Sequence, residues 1–164
     1  MRELLGRGWE QRAEGRQKEY ASLLKKKPRR DFLVELPELH KQAFREINCL
    51  ECAKCCKKYS PRFKTPDIKR IARLLGMKEG DFIRRYLRLD EEGDYVANVA
   101  PCPFLGSDNR CGIYADRPSD CRRFPYTDED VFFKRQALTL QNSRFCPIVY
   151  SVLERLLAAP QRKD

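Results

Sequence analysis

The chain has 164 residues and a mass of 19.4 kDa, with 34 basic and 24 acidic side chains, a formal charge of +10 and a mean hydropathy of −0.70. That length suits one domain rather than two, and no apolar run approaches the roughly 18–20 residues that span a bilayer, so no membrane contact is expected. The opening Met1-Arg2-Glu3-Leu4-Leu5-Gly6-Arg7 is charged and lacks an apolar core of its own, which makes the cytoplasm the expected location.

In chain order, residues 8–27 are rich in Glu, Gln, Arg, Lys and Ala with few apolar anchors, and predict an exposed, fraying helix. The densest basic run, Lys25-Lys26-Lys27-Pro28-Arg29-Arg30, follows it. Pro37 is expected to open a second helix with Leu39, Ala43, Phe44 and Ile47 on one face. Thr65-Pro66-Asp67 reads as a helix start: Thr65 as cap, Pro66 in the first turn, Asp67 complementing the dipole. Ile68, Ile71, Ala72, Leu74 and Leu75 then form its buried stripe, and Gly76 suits its end. A helix over 79–87 turns Phe82, Ile83 and Tyr86 inward. Glu91-Glu92-Gly93-Asp94 is a turn before a short strand at Tyr95-Val96-Ala97. Ser107-Asp108-Asn109-Arg110 is a second turn between Phe104-Leu105 and Ile113-Tyr114. The last helix begins near Phe145–Pro147 and runs to Ala159, with Ile148, Val152, Leu153 and Leu156 as its apolar face. The sum is an α+β fold, a small helix-dominated single domain with an irregular cysteine-rich metal-binding centre and a short β-hairpin. Residues 49–159 are expected to form that domain, and residues 1–48 a basic helical N-terminal extension.

Eight cysteines stand against a single histidine, His40. In a reducing compartment such a count points to metal or catalysis rather than to disulfides. The cysteines fall into two sets: Cys49-x-x-Cys52-x-x-Cys55-Cys56, and then Cys102, Cys111, Cys121 and Cys146. Three-residue spacing lets one curled loop turn several thiolates toward one centre. Tetrahedral zinc takes four ligands at about 2.3 Å, and an iron–sulfur cluster takes thiolates on its irons. Bacterial ferredoxins place cluster ligands at this C-x2-C-x2-C spacing and continue x3-C-P, whereas here Cys56 follows at once. Adjacent side chains tend to point apart, so Cys55 and Cys56 are not expected to share one ion. Cys56 is left to a second centre or as a reactive thiol. Zinc ribbons use two C-x-x-C pairs, and the second set has none. Cys102-Pro103 and Cys146-Pro147 resemble the Cys-Pro that closes a ferredoxin motif. With histidine nearly absent, any centre is sulfur-ligated, which selects zinc, copper(I) or iron–sulfur.

Lys54, Lys57 and Lys58 flank the first set, and Arg110, Arg117, Arg122 and Arg123 the second. Nearby cations favour thiolate over thiol, though each could equally be an ordinary surface charge. Tyr114 and Phe124 are expected to pack around the site. His40 lies on a predicted helix and reads as a surface residue, not a base. No Ser/His/Asp set is available.

On these residues the chain resembles the cysteine-cluster family with a CxxCxxCC signature, also called the YkgJ type. The likeness covers roughly residues 49–146. It is carried by Cys49–Cys56, Cys102-Pro103-Phe104-Leu105, Cys111-Gly112-Ile113-Tyr114, Arg117-Pro118 with Cys121-Arg122, Phe124-Pro125 and Cys146. The resemblance implies a zinc- or iron-chelating domain with Cys49, Cys52, Cys55, Cys56, Cys102, Cys111, Cys121 and Cys146 as metal-ligand candidates. It also singles out Arg117 and Arg122 among the flanking cations. One relative, the flagellin lysine N-methylase, implies methyl transfer by an enzyme that carries an iron–sulfur centre. That activity is not carried over, because no G-x-G-x-x-G loop lies between a strand and a helix; Gly6-Arg7-Gly8 has no strand before it.

The expected function is a cytosolic metal-binding protein holding an iron–sulfur cluster, with zinc as the alternative cofactor, as a component of a protein-modifying or redox system. A structural zinc adaptor and a nucleic-acid-binding zinc module are the competing readings. The nucleic-acid reading is disfavoured, since the basic run at 25–30 lacks interleaved aromatics and lies outside the cysteine region. A protein partner or substrate, and enzyme activity itself, stay open.

Overall fold

The computed structural model describes residues 5–26 and 30–159. Lys27-Pro28-Arg29 of the basic run therefore lies outside the described residues, as do residues 1–4 and 160–164. The chain is helix-dominated with one small antiparallel sheet, the α+β class its sequence implies. It divides into two compact units. One holds Leu50–Phe124; the other holds the residues up to Cys49 together with those from Pro125 onward. Among the described residues no helix is long and apolar enough to cross a membrane.

The unit over 50–124 is built on two helices and a hairpin. Helix α6 is Thr65–Leu74 and helix α7 is Glu79–Tyr86. Strands β1 (Leu87–Leu89) and β2 (Tyr95–Ala97) pair antiparallel in the register Leu87 with Ala97 and Leu89 with Tyr95. The helix expected over 79–87 stops one residue short, because Leu87 already belongs to β1 and donates its backbone to the hairpin. Phe63, Ile68, Ile71, Phe82, Leu87, Ala97 and Ile113 form the apolar core, with Phe104 and Cys111 packed against it. Phe104 lies parallel to Phe82 at 6.1 Å between ring centroids, an offset stack that adds directional packing to burial. Gly76 sits at φ +65 just after α6, the left-handed geometry that a helix end asks of glycine. Two expectations for α6 need correction. Leu74 is 51% exposed and Leu75 is also exposed, since the helix turns its last residues away from the core. Thr65 is the first helical residue rather than the cap; the Asp67 carboxylate accepts from the Lys64 N–H at 3.3 Å instead.

The other unit contains α1 (Trp9–Gly15), α2 (Gln17–Lys25), α3 (Arg30–Glu46), α9 (Val131–Lys134), α10 (Gln136–Ser143) and α11 (Pro147–Ala158). Helix α11 is its centre, packing against α2, α3 and α10, with Ile148, Val152, Leu153 and Leu156 buried as its pattern requires. The stretch expected as one exposed helix is instead two, broken after Gly15. It buries Ala13, Tyr20, Leu23 and Leu24, a stripe at helical spacing diluted by charged neighbours. Tyr20 donates to Glu154 at 2.6 Å, and Arg16 pairs with the same carboxylate. Pro37 does not open a helix but lies inside α3, where it forgoes one backbone bond, a loss of about 3 kcal/mol in an isolated helix. Burial of Leu36, Ala43 and Ile47, and the Arg155 fork on Gln42 and Glu46, hold the helix through it. His40 is half-buried rather than superficial: Thr127 Oγ1 is 2.9 Å from Nδ1, and the Phe44 ring lies 4.5 Å away.

Candidate metal centre

The first cysteine motif folds as two helical turns, α4 (Cys49–Cys52) and α5 (Lys54–Lys58), separated by Ala53. Ala53 is buried at φ +48, a left-handed conformation that a non-glycine residue adopts at a penalty of roughly 1–2 kcal/mol. This one residue reverses the curl of the chain between Cys52 and Cys55. We expect Ala53→Gly to be tolerated within about 1 kcal/mol, while Ala53→Val, branched and overpacked at a left-handed site, lowers stability by about 2 kcal/mol or more. Urea midpoints of the three proteins check this.

The structure brings Cys55 and Cys56 closer than adjacency implied. Their sulfurs are 3.9 Å apart within the α5 turn. That sulfur–sulfur hydrogen bond draws the Cys56 thiol down to about 7, against the rise that burial imposes.

Cys102 stands beside the motif. Its N–H donates to the Cys56 carbonyl at 2.8 Å, following a cis peptide between Ala100 and Pro101. From Cys102 the chain turns back through Gly106–Arg110, closed by Gly106 N–H to Arg110 O at 2.8 Å, with Asn109 at φ +65. This is the turn expected at 107–110, and it sets Cys111 opposite Leu105 in an isolated antiparallel bridge. The backbone at Phe104 and Ile113, each two residues on, favours the thiolates of Cys102 and Cys111. Burial nevertheless dominates both thiols, pushing Cys102 up to about 11 and raising Cys111.

Cys121 lies on α8 (Ser119–Arg123), a five-residue helix held from both sides. Asp67, 2% exposed, reaches across from α6: Oδ1 accepts from the Ser119 N–H at 3.1 Å and Oδ2 from its hydroxyl at 3.0 Å. Arg70 donates to Asp67 at 2.9 Å and to the carbonyls of Asp116 and Arg117 just before the helix. On the other side the buried Asp120 carboxylate receives Arg62 at 2.9 Å and Lys64 at 3.1 Å. Burial raises the Cys121 thiol, and the charges of Cys56, Cys102 and Cys111 raise it further. Cys56, Cys102, Cys111 and Cys121 thus come from separate stretches of one unit.

Of the flanking cations, Arg117 bears on the sulfurs: its charge favours the thiolate at Cys111 and Cys121. Its guanidinium lies 3.9 Å over the Tyr114 ring, so Tyr114, 46% exposed, supports the cation. Arg122 braces the loop through the carbonyls of Ala115 and Arg117. Arg110 is exposed and faces Asp108. Cys49 is exposed and Cys146 buried, both in the other unit, while Cys52 is half-buried. Asp67, Asp120, Arg62, Lys64 and Arg70 were missed as site residues. Only the place of Asp67 in a first helical turn gave a signal, and that signal was local.

The donors suit a soft metal. None of the eight cysteines, all among the described residues, is in a disulfide. Half-buried thiols with the Arg117 guanidinium nearby suit negative charge on sulfur once a thiophilic ion replaces the protons. Among the described residues no three donors stand at coordination spacing.

Comparison with curated proteins and with solved structures gives no match. A family model matches residues 48–147, more than half of the chain and the stretch that carries all eight cysteines. The chain thus belongs to the CxxCxxCC family, described as a "putative zinc- or iron-chelating domain".

Proposed function

We propose that this chain is a cytoplasmic metalloprotein whose cysteines hold an iron–sulfur cluster, serving a redox or protein-modifying system. The observation that carries the reading is that the stretch matched by the family model, residues 48–147, holds all eight cysteines, none of them in a disulfide. Thiols in that number suit a soft, sulfur-ligated centre. The C-x2-C-x2-C run at Cys49–Cys55 favours iron–sulfur over zinc, since ferredoxins use that spacing. Zinc bound by the same thiolates is the second reading. The family description, a zinc- or iron-chelating domain, favours it equally.

Absorption and metal analysis of anaerobically purified protein test this. A brown sample with a broad visible charge-transfer band and stoichiometric iron and sulfide is expected. A colourless sample with stoichiometric zinc transfers the function to zinc, and a sample without metal overturns both. Cys52→Ser and Cys55→Ser are expected to lose metal; full retention in both contradicts ligation by the first motif.

A further inference from the structure

Eight thiols could serve one centre or two, and the order of the motif would assign Cys56 to the same centre as Cys49, Cys52 and Cys55. We infer that Cys56 instead joins Cys102, Cys111 and Cys121, and that these four thiolates form one self-contained soft-metal centre within residues 50–124. The inference rests on the metal-binding reading above and deepens it by naming which ligands act together.

Backbone connections carry the grouping. Cys102 N–H to Cys56 O, at 2.8 Å, sets those two residues side by side. Leu105 N–H to Cys102 O at 3.0 Å, Gly112 N–H to Phe104 O at 2.8 Å and the Leu105–Cys111 bridge fix Cys111 against the Cys102 loop. Arg122 to Ala115 O at 2.6 Å then fastens the stretch after Cys111 to the helix that bears Cys121. Every one of these contacts lies inside one unit.

Four thiolates complete a tetrahedral zinc site or ligate one four-iron cluster, so the set needs no donor from outside the unit. Loading replaces the thiol protons with a thiophilic metal or cluster. The protons leave to solvent, and no sulfur changes oxidation state.

The test is metal content of the full-length chain, with circular dichroism as the folding control. Cys56→Ser, Cys121→Ser and the double variant are expected to lose the same single centre, with the double no worse than either. Additive losses place the two cysteines in different centres and overturn the grouping. Because either variant could fail to fold, the unmutated protein supplies the second measurement. Its metal is withdrawn in steps by chelator, and each step is pulsed with an alkylating reagent and read by peptide mass spectrometry. Cys56 is expected to become reactive in the same step as Cys102, Cys111 and Cys121. Release of Cys56 in a different step from those three overturns the proposal while leaving metal binding intact. An unmutated protein that binds no metal overturns both.

Discussion

Replacing Asp67 by Ala is expected to lower stability by about 3–5 kcal/mol, the scale on which one partner of a buried charged pair is lost. Asp67 carries no metal, yet it holds the Ser119 N–H and hydroxyl, the Lys64 N–H and Arg70. Loss of the carboxylate strands those donors where water is scarce, at about 1–3 kcal/mol for each that stays buried and unpaired. For a chain of this size the melting temperature should fall by roughly 10 °C. Metal content should fall with it, because the helix positioned by Asp67 carries Cys121. Asp67→Asn keeps one acceptor oxygen and should fall between wild type and Asp67→Ala. The control is Asp81→Ala on α7: its carboxylate pairs with Arg84 in the open and should contribute no more than about 0.5 kcal/mol. Equal melting temperatures for Asp67→Ala and Asp81→Ala would refute the role of Asp67.

The same residue has an acid signature. Burial pushes the Asp67 carboxyl up, but hydrogen bonds from Arg70, Ser119 and Lys64 outweigh that and hold it below the ordinary 3.8. The folded chain therefore binds this proton more weakly than the unfolded chain. Its stabilisation is complete above 3.8 and is lost as pH falls through the lower, folded value. The stability gap between wild type and Asp67→Asn, from urea titrations, should stay constant near neutrality and close only below about pH 3.8.

What sequence could reveal divides along the same local and non-local line. Helices α6, α7 and α11 and strand β2 with the turn before it were legible because their signals are contiguous: Pro66 and Pro147 in first turns, Gly76 at a helix end, apolar residues at helical spacing; β1, which follows α7 without a break, was not. Helix α10 was not, because its buried residues are Thr139, Asn142 and Ser143, and apolar periodicity is blind to a polar face that packs. Helix α8 is too short for any period, and Asp67 and Arg62, more than fifty residues earlier, hold it in place. The two cysteine sets were legible as a family pattern, since residue type and the first spacing are local facts. Which of them meet was not, because that depends on the Cys102–Cys56 backbone bond and on the turn at 106–110.

Withdrawal of metal should open residues 98–124 and leave the rest of that unit closed. The reason is where order comes from. Helices α6 and α7 and the hairpin share an apolar cluster centred on Phe63, Ile68, Ile71 and Phe82, which needs no ion, and Phe104 and Ile113 reach into it from the segment that loosens. Between Asn98 and Phe124 the regular structure is one 3₁₀ turn at Tyr114–Asp116 and the five residues of α8. Side-chain anchors and the thiols must supply the rest. Structural zinc contributes about 10–16 kcal/mol in finger peptides, and metal free energy of that kind is folding free energy for the segment that supplies the ligands. A local loss of even about 4–5 kcal/mol accelerates amide exchange by roughly a thousandfold or more. Hydrogen exchange before and after chelation should show that acceleration at Leu105, Gly112 and Arg122, whose N–H groups close the cysteine loops. Amides in the middle of α6, at Ile71 and Ala72, and those of Val152 and Leu153 in α11 should change by less than about tenfold. Uniform acceleration throughout would mean that metal and apolar core form one cooperative structure. An unchanged pattern would mean that the loops are held without metal. Either result contradicts the division of labour between ion and core.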